Sequence, residues 1–253
     1  MKRLRQLIVI GVAAGMLFAV PAAASARTDG TRIDSEPTVT TDVVRQPTLD
    51  QIKERAAAAI DRRLVTLKKL TDGVASSEFI TARHKTTLIR EYASAGLGLT
   101  AVGRQIEAAE TIDELRALIP AIAEDFRIYL VVVPKSRQVG ASDRVADVVD
   151  RLGSAADTVG EAIRRGEEAG YDMSEARKWL ISALDDIDEA RRTGVPVADN
   201  VIGLQAADWE EPAASELQEG RRRLDNARVD VRKAKASLEK AKQAIEDALG
   251  SDG

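Results

Sequence analysis

Residues 125–135 read DFRIYLVVVPK, from Asp125 to Lys135. A phenylalanine, an Ile-Tyr-Leu triplet and three successive valines stand together here, in a chain otherwise built on Ala, Arg, Asp and Glu with only 3% aromatic residues. A strand, a membrane-seeking segment, a binding motif and a buried stretch of helix all suit such a run, and the residues upstream decide between them. Ile112, Leu115, Ile119, Ile122, Phe126, Tyr129 and Val133 follow one another at alternating steps of three and four, which places them on one stripe of a helix. The run therefore continues a helix through Pro120, where a kink or short break is expected. Ile128, Leu130, Val131 and Val132 make its last turns apolar all round, which predicts a helix end buried on every side. A strand would need a second β-rich run to satisfy its backbone groups, and the sequence offers none unless a homodimer supplies it. Pro134 ends the element either way, because proline disfavours helical conformation in the residue before it. Pro134–Arg137 then reads as a joint between two halves, with Phe126, Tyr129, Val131 and Val132 as the candidate interface at that joint.

On the N-terminal side the pattern is helical throughout. Thr48 with Gln51 forms a capping box for a helix predicted to run to Leu70–Thr71, with Asp72-Gly73 as its stop. Thr81 caps a second helix, whose stripe is Leu88, Tyr92, Ala95, Leu99, Val102, Ile106 and Ala109. Gly96, Gly98 and Gly103 weaken that helix by about 1 kcal/mol each relative to alanine, so packing has to compensate. Thr111 and Glu114 start the third helix after a short turn, which makes the second and third helices antiparallel neighbours.

The C-terminal side carries a heptad of large and small residues. In the last helix Leu217, Leu224, Val231, Leu238 and Ile245 recur every seven residues, each followed three later by Gly220, Ala227, Ala234, Ala241 or Ala248. A fourth helix repeats this with Val145, Leu152 and Val159 against Val148, Ala155 and Ala162. A fifth does so with Met173, Leu180 and Ile187 against Ala176, Ala183 and Ala190. Alanine at one seam position lets helices approach closely. The prediction is an all-α chain, an extended antiparallel bundle or coiled coil of about six helices in two three-helix halves, residues 48–134 and 135–250. At about 1.5 Å per residue the last helix outruns the fifth, so part of it must overhang, packed on the first half or standing in solvent.

The remaining segments speak to compartment. Lys2, Arg3 and Arg5, the apolar run Leu7–Val20, Pro21 and the small residues 22–26 read as an export leader cut after Ala26 or Ala24. The apolar run is shorter than the roughly 20 residues that span a bilayer. Residues 27–47, rich in Thr, Asp and Pro, read as a flexible tether. The chain has 37 Lys and Arg against 41 Asp and Glu and no cysteine. Loss of the leader's three basic residues makes it more acidic still. That disfavours nucleic-acid binding, and the lack of cysteine excludes disulfides and thiolate chemistry. The expectation is a secreted or envelope-associated protein, without membrane insertion after processing and with a protein or envelope partner. DFRIYLVVVPK, with the leader and the alanine-rich helices on both sides, resembles an uncharacterised family of secreted helical proteins from high-GC Gram-positive bacteria. That resemblance spans roughly residues 49–249, implies export and the helical architecture, and brings no catalytic residue with it.

Candidate chemistry is sparse. His84, the only histidine, lies in the first turn of its helix between Arg83 and Lys85 and is expected to be exposed and without the partners a base or ligand needs. Asp185, Asp186, Asp188 and Glu189 do not have the loop spacing of a calcium site and read as a solvated acidic face. Trp179 reads as a seam edge, and Trp209 as a pin for the connection before the last helix. No catalytic constellation, cofactor or metal site is expected, and the chain reads as non-enzymatic. The strongest charge feature is Arg221–Lys242, with nine bases against three acids. Arg221, Arg222, Arg223, Arg228, Arg232, Lys233 and Lys235 form a candidate surface for anionic envelope polymer or lipid headgroups. The competing reading, which the acidic balance of the fourth and fifth helices favours, is that these bases face inward on that acidity.

Overall fold

Three threonines start the first three helices. Thr48, Thr81 and Thr111 each accept a hydrogen bond from the backbone N–H three residues on, and Thr48 completes its box with the Gln51 side chain. They open α1 (Leu49–Ser76), α2 (Ala82–Ala108) and α3 (Ile112–Glu124). The computed structural model describes residues 47–250, so the leader and nearly all of the tether lie outside the described residues. After α3 come α4 (Val133–Glu168), α5 (Ser174–Gly194), the short α6 (Val197–Val201) and α7 (Ala214–Gly250). No strand occurs among the described residues, which belong to one compact unit. The fold is an all-α bundle in which α1, α2 and α3 pack together, and α4, α5 and α7 pack together.

The stretch that opens the sequence analysis is helical, but it belongs to α4 rather than to the end of α3. Helix α3 runs through Pro120 and stops at Glu124. Glu124 and Asp125 put two acids at its C-terminal end, where the helix dipole disfavours negative charge. Arg127 then takes a left-handed conformation, φ 36°, which costs a non-glycine residue about 1–2 kcal/mol. Ile128–Val132 form a π-helical turn in which Val133 N–H bonds the Ile128 carbonyl, and this turn runs directly into α4. Pro134 therefore sits in the first turn of α4 instead of ending a helix. A proline ring collides with the carbonyl four residues back in a regular helix, and the widened turn accommodates it. The break in the helix thus falls at Asp125–Arg127, several residues before Pro134. A second difference is at α1, which continues through Asp72-Gly73 to Ser76.

The broken stripe changes which apolar residues go inside. Ile128, Val131 and Val132 are buried, but Tyr129 is 48% and Leu130 44% exposed, so this end is not covered on every side. Phe126 lies over Gly98, where an added Cβ would stand 2.5 Å from the ring. The glycine that weakens α2 on its own thus makes room for the turn that ends α3.

The small positions of the seam are buried in α5 and most of α7. Met173 and Gly166 meet where α4 passes into α5, and Gly194 meets Val145 at the other end, so these helices are antiparallel. Contacts of Trp179 with Lys240 and of Thr193 with Arg223 set α5 antiparallel to α7 as well. Ala176, Ala183, Ala190, Ala227, Ala234 and Ala241 are all buried. At Gly194 an added Cβ would stand 2.7 Å from Ala227 Cβ and 2.9 Å from Val145 Cγ1, so no side chain fits where the three helices touch. In α4 the second seam position is one residue later than expected. Val149, Ala156 and Ile163 are buried, whereas Val148, Ala155 and Ala162 are half-buried. The end of α7 that outruns α5 is covered, since Leu217 O accepts from Gln138 of α4 and Gly220 packs against Val197 of α6. Ala234→Leu should overpack the seam and cost about 1–3 kcal/mol. Leu238→Ala should cost about 2–5 kcal/mol. Urea denaturation checks both, and a neutral Ala234→Leu would refute the close approach.

Candidate functional site

The first turns of α4 carry an unusual density of buried polar side chains: Lys135, Ser136, Gln138, Ser142 and Asp143. Each captures a group from another element or turn. Lys135 has no exposed surface, and its ammonium lies 2.7 and 2.6 Å from the two Glu91 carboxylate oxygens of α2 and 2.6 Å from the Leu204 carbonyl. Three protons therefore meet three acceptors. Tyr92 donates to Ser136 at 2.6 Å, and Ser136 donates to the Val132 carbonyl of the π turn. The Ser142 hydroxyl lies 2.9 and 2.8 Å from the Gly194 and Val195 carbonyls that end α5, and accepts from Ala198 N–H of α6. Asp143 accepts from Thr81 N–H at 2.9 Å and meets His84 Nδ1 at 2.8 Å.

His84 is thus buried, 7% exposed, rather than on the surface. Capping by Thr81 starts α2 so that its first turn packs on α4, and Asp143, 59 residues away in sequence, supplies the partner. Its other nitrogen lies 3.4 Å from Asp199 of α6. Burial pushes the Glu91 carboxyl above its ordinary value, outweighing the neighbouring Lys135 charge. Burial also pushes the Tyr92 phenol up to about 12, against the opposing hydrogen bond to Ser136.

Beside this cluster lies a cleft of about 530 Å³. Thr87, Arg90, Glu91, Ser94 and Ala95 of α2 form one wall, Asp125, Phe126 and Val132 another, and Ile202, Gly203, Gln205 and Ala206 of the α6–α7 connection close it. Of the four residues expected at the joint, Phe126 and Val132 line this cleft and Val131 is fully buried. Tyr129 instead lies against α1, its hydroxyl 3.3 Å from Thr66 Oγ1 and its ring 5.5 Å from the Arg63 guanidinium.

The basic residues of α7 do not face inward on the acids of α4 and α5. Most pair along their own helix rather than with α4 or α5: Arg222 with Glu219, Arg228 with Asp225, Lys233 with Asp230, and at 3.8 Å Lys235 with Glu239. The seams facing α4 and α5 are mostly Ala and Leu, with Asp230 and Ser237 also buried, so the bases are left on the rim, where neighbours three or four residues apart meet. Arg223 crosses to α5 and donates to the Thr193 and Arg192 carbonyls at its end. Arg221 and Arg232 are exposed and have no partner among the described residues. Trp179 is half-buried, with Lys240 4.1 Å from its ring centre. Trp209 begins the irregular turn before α7.

No cluster of three or more His, Asp or Glu among the described residues could hold a metal ion, and no described helix is long and apolar enough to cross a membrane. Comparison with family profiles, curated proteins and solved structures gives no match for the chain.

Glu91→Ala leaves a fully buried ammonium without its counter-charge and should cost about 3–5 kcal/mol, whereas joint replacement by Glu91→Leu and Lys135→Met should recover most of it in urea denaturation. Tyr92 gives a pH test. Its folded-state pKa is raised, so its contribution is fully present below 10.0 and is lost as the pH climbs towards about 12. The urea midpoint of the parent should therefore fall more steeply over that window than that of Tyr92→Phe. Equal slopes would refute the assignment.

Proposed function

We propose that this chain is an exported, non-enzymatic structural or interaction protein of the cell envelope or extracellular space. One observation carries the reading. The interior acid–base pairs that chemistry could use, His84–Asp143 and Glu91–Lys135, are spent on holding helix ends together. A general base must reach a substrate proton, and Asp143 and Lys135 are taken up by the fold. The leader-like start, the tether and the resemblance of Asp125–Lys135 to a secreted helical family support export. The small-residue seams of α5 and α7 and their antiparallel packing with α4 support a structural role. A second reading, a module for anionic envelope polymer or lipid headgroups, is favoured by Arg221 and Arg232, which stand exposed without acidic partners among the described residues.

Co-sedimentation of the chain from Arg27 onward with isolated envelopes, at low and high salt, tests both. Pelleting that salt leaves intact supports a packed protein partner. Pelleting that salt reverses, and that Arg221→Gln, Arg228→Gln and Arg232→Gln together abolish without loss of helical circular dichroism, supports the anionic-polymer reading. Arg223 is spared because it holds the end of α5. Absence of pelleting at low salt overturns envelope association.

A further inference from the structure

Two charged side chains at the cleft are used by nothing in the fold. Arg90 and Asp125 both line it, both are exposed, and neither side chain has a hydrogen bond or ion pair among the described residues. The third charged group there, Glu91, is occupied by Lys135 through both oxygens. The two unused charges come from separate walls, Arg90 from α2 and Asp125 from the turn after α3. Phe126, next to Asp125, packs on Gly98, eight residues along α2 from Arg90. At about 1.5 Å per residue those two α2 positions lie roughly 12 Å apart along the helix axis. Between them the lining is apolar, with Ala95, Phe126, Val132, Ile202 and Ala206, interrupted by the Ser94 hydroxyl and the Gln205 amide. The backbone that carries Asp125 and Phe126 is strained at Arg127 and leads into a π turn, two features that concentrate at binding sites.

The geometry points to a binding site for a short zwitterionic peptide of two or three residues. Its terminal carboxylate sits on Arg90, its terminal ammonium on Asp125, and its apolar side chains against Phe126, Val132 and Ile202. An extended chain rises about 3.3–3.6 Å per residue, so three residues come close to spanning the α2 positions beside the two charges. Ser94 offers a hydrogen bond to the peptide groups between, whereas the Gln205 amide already donates to the Gly203 carbonyl and caps the turn at Asp208. A simple apolar ligand would leave both charges unused, and a simple anion would meet Asp125 as a repulsive neighbour.

Titration calorimetry with the tripeptide Ala-Leu-Leu, free at both ends, tests this on the purified chain, with the N-acetylated and C-amidated peptides for comparison. The free peptide should bind saturably at one site, and blocking either end should weaken it by about fivefold, the upper range for an exposed ion pair. Arg90→Gln should weaken the free peptide by the same factor and leave the C-amidated peptide unchanged. Asp125→Asn should behave likewise towards the N-acetylated peptide. Both positions are exposed, so the helical circular dichroism of the variants should match that of the parent. Absence of saturable binding at millimolar peptide, or an Arg90→Gln loss equal for free and amidated peptides, overturns the proposal. The outcome does not depend on export or on envelope association.

Discussion

An ammonium group with no exposed surface sits where α2, α4 and the α6–α7 connection meet, and all three of its protons are bonded. Leaving such a group unpaired would cost several kcal/mol, so Glu91 and Leu204 must stay in register with Lys135. The neighbouring polar residues of α4 repeat this arrangement. Helix ends leave backbone groups without partners; Ser142 takes up the carbonyls that end α5 and Asp143 the N–H of the residue before α2, while Gln138 ties α4 to the Leu217 carbonyl in the first turn of α7. Apolar seams tolerate sliding by fractions of a turn, whereas a buried hydrogen bond does not. The alanine seam therefore sets how closely α4, α5 and α7 approach, and the polar cluster sets where each helix end lies and joins this group to α1–α3.

What the sequence made legible is local or periodic. Threonine caps act within three residues, the stripe of α2 repeats over several turns, and the small residues of α7 recur every seven; all of these are found in the structure. The latches were not legible, because each pairs residues tens of positions apart. His84 reads as a surface residue until α4 brings Asp143 against it, and Lys135 reads as part of a joint until Glu91 is seen beside it. The phase of α4 was ambiguous for a different reason. Alanines at 155 and 156 and branched residues at 148 and 149 fit a seam equally well, and α4 packs on both α5 and α7, so its buried face is wide.

The reading of Asp125–Lys135 shows how a correct period can conceal a break. The steps of three and four run through Asp125–Arg127 unbroken, yet two acids at the end of α3, a left-handed Arg127 and a proline at 134 divide the chain there. The π turn then changes which residues face inward, burying Val131 and leaving Tyr129 outside. Of the cleft, only Phe126 and Val132 had drawn notice, through their bulk. Arg90 and Asp125 carry no local signal, because an exposed charge on a helix and another at a helix end are ordinary in sequence.

The cleft follows from the same constraint that orders the core. Lys135 draws Leu204 inward, which fixes the α6–α7 connection against α2. Phe126 is held on Gly98, which fixes the α3–α4 turn further along the same helix. Two irregular segments are thus anchored to α2 at separate points, and the space between them is left for the side chains of Thr87, Arg90, Ser94 and Ala95 to line. A single continuous helix through Asp125–Lys135 would have no such turn to hold there. The strain at Arg127 and the cleft beside it are two results of one break in the chain, which makes the break, rather than the longer and more regular α7, the place where this fold is least explained by packing alone.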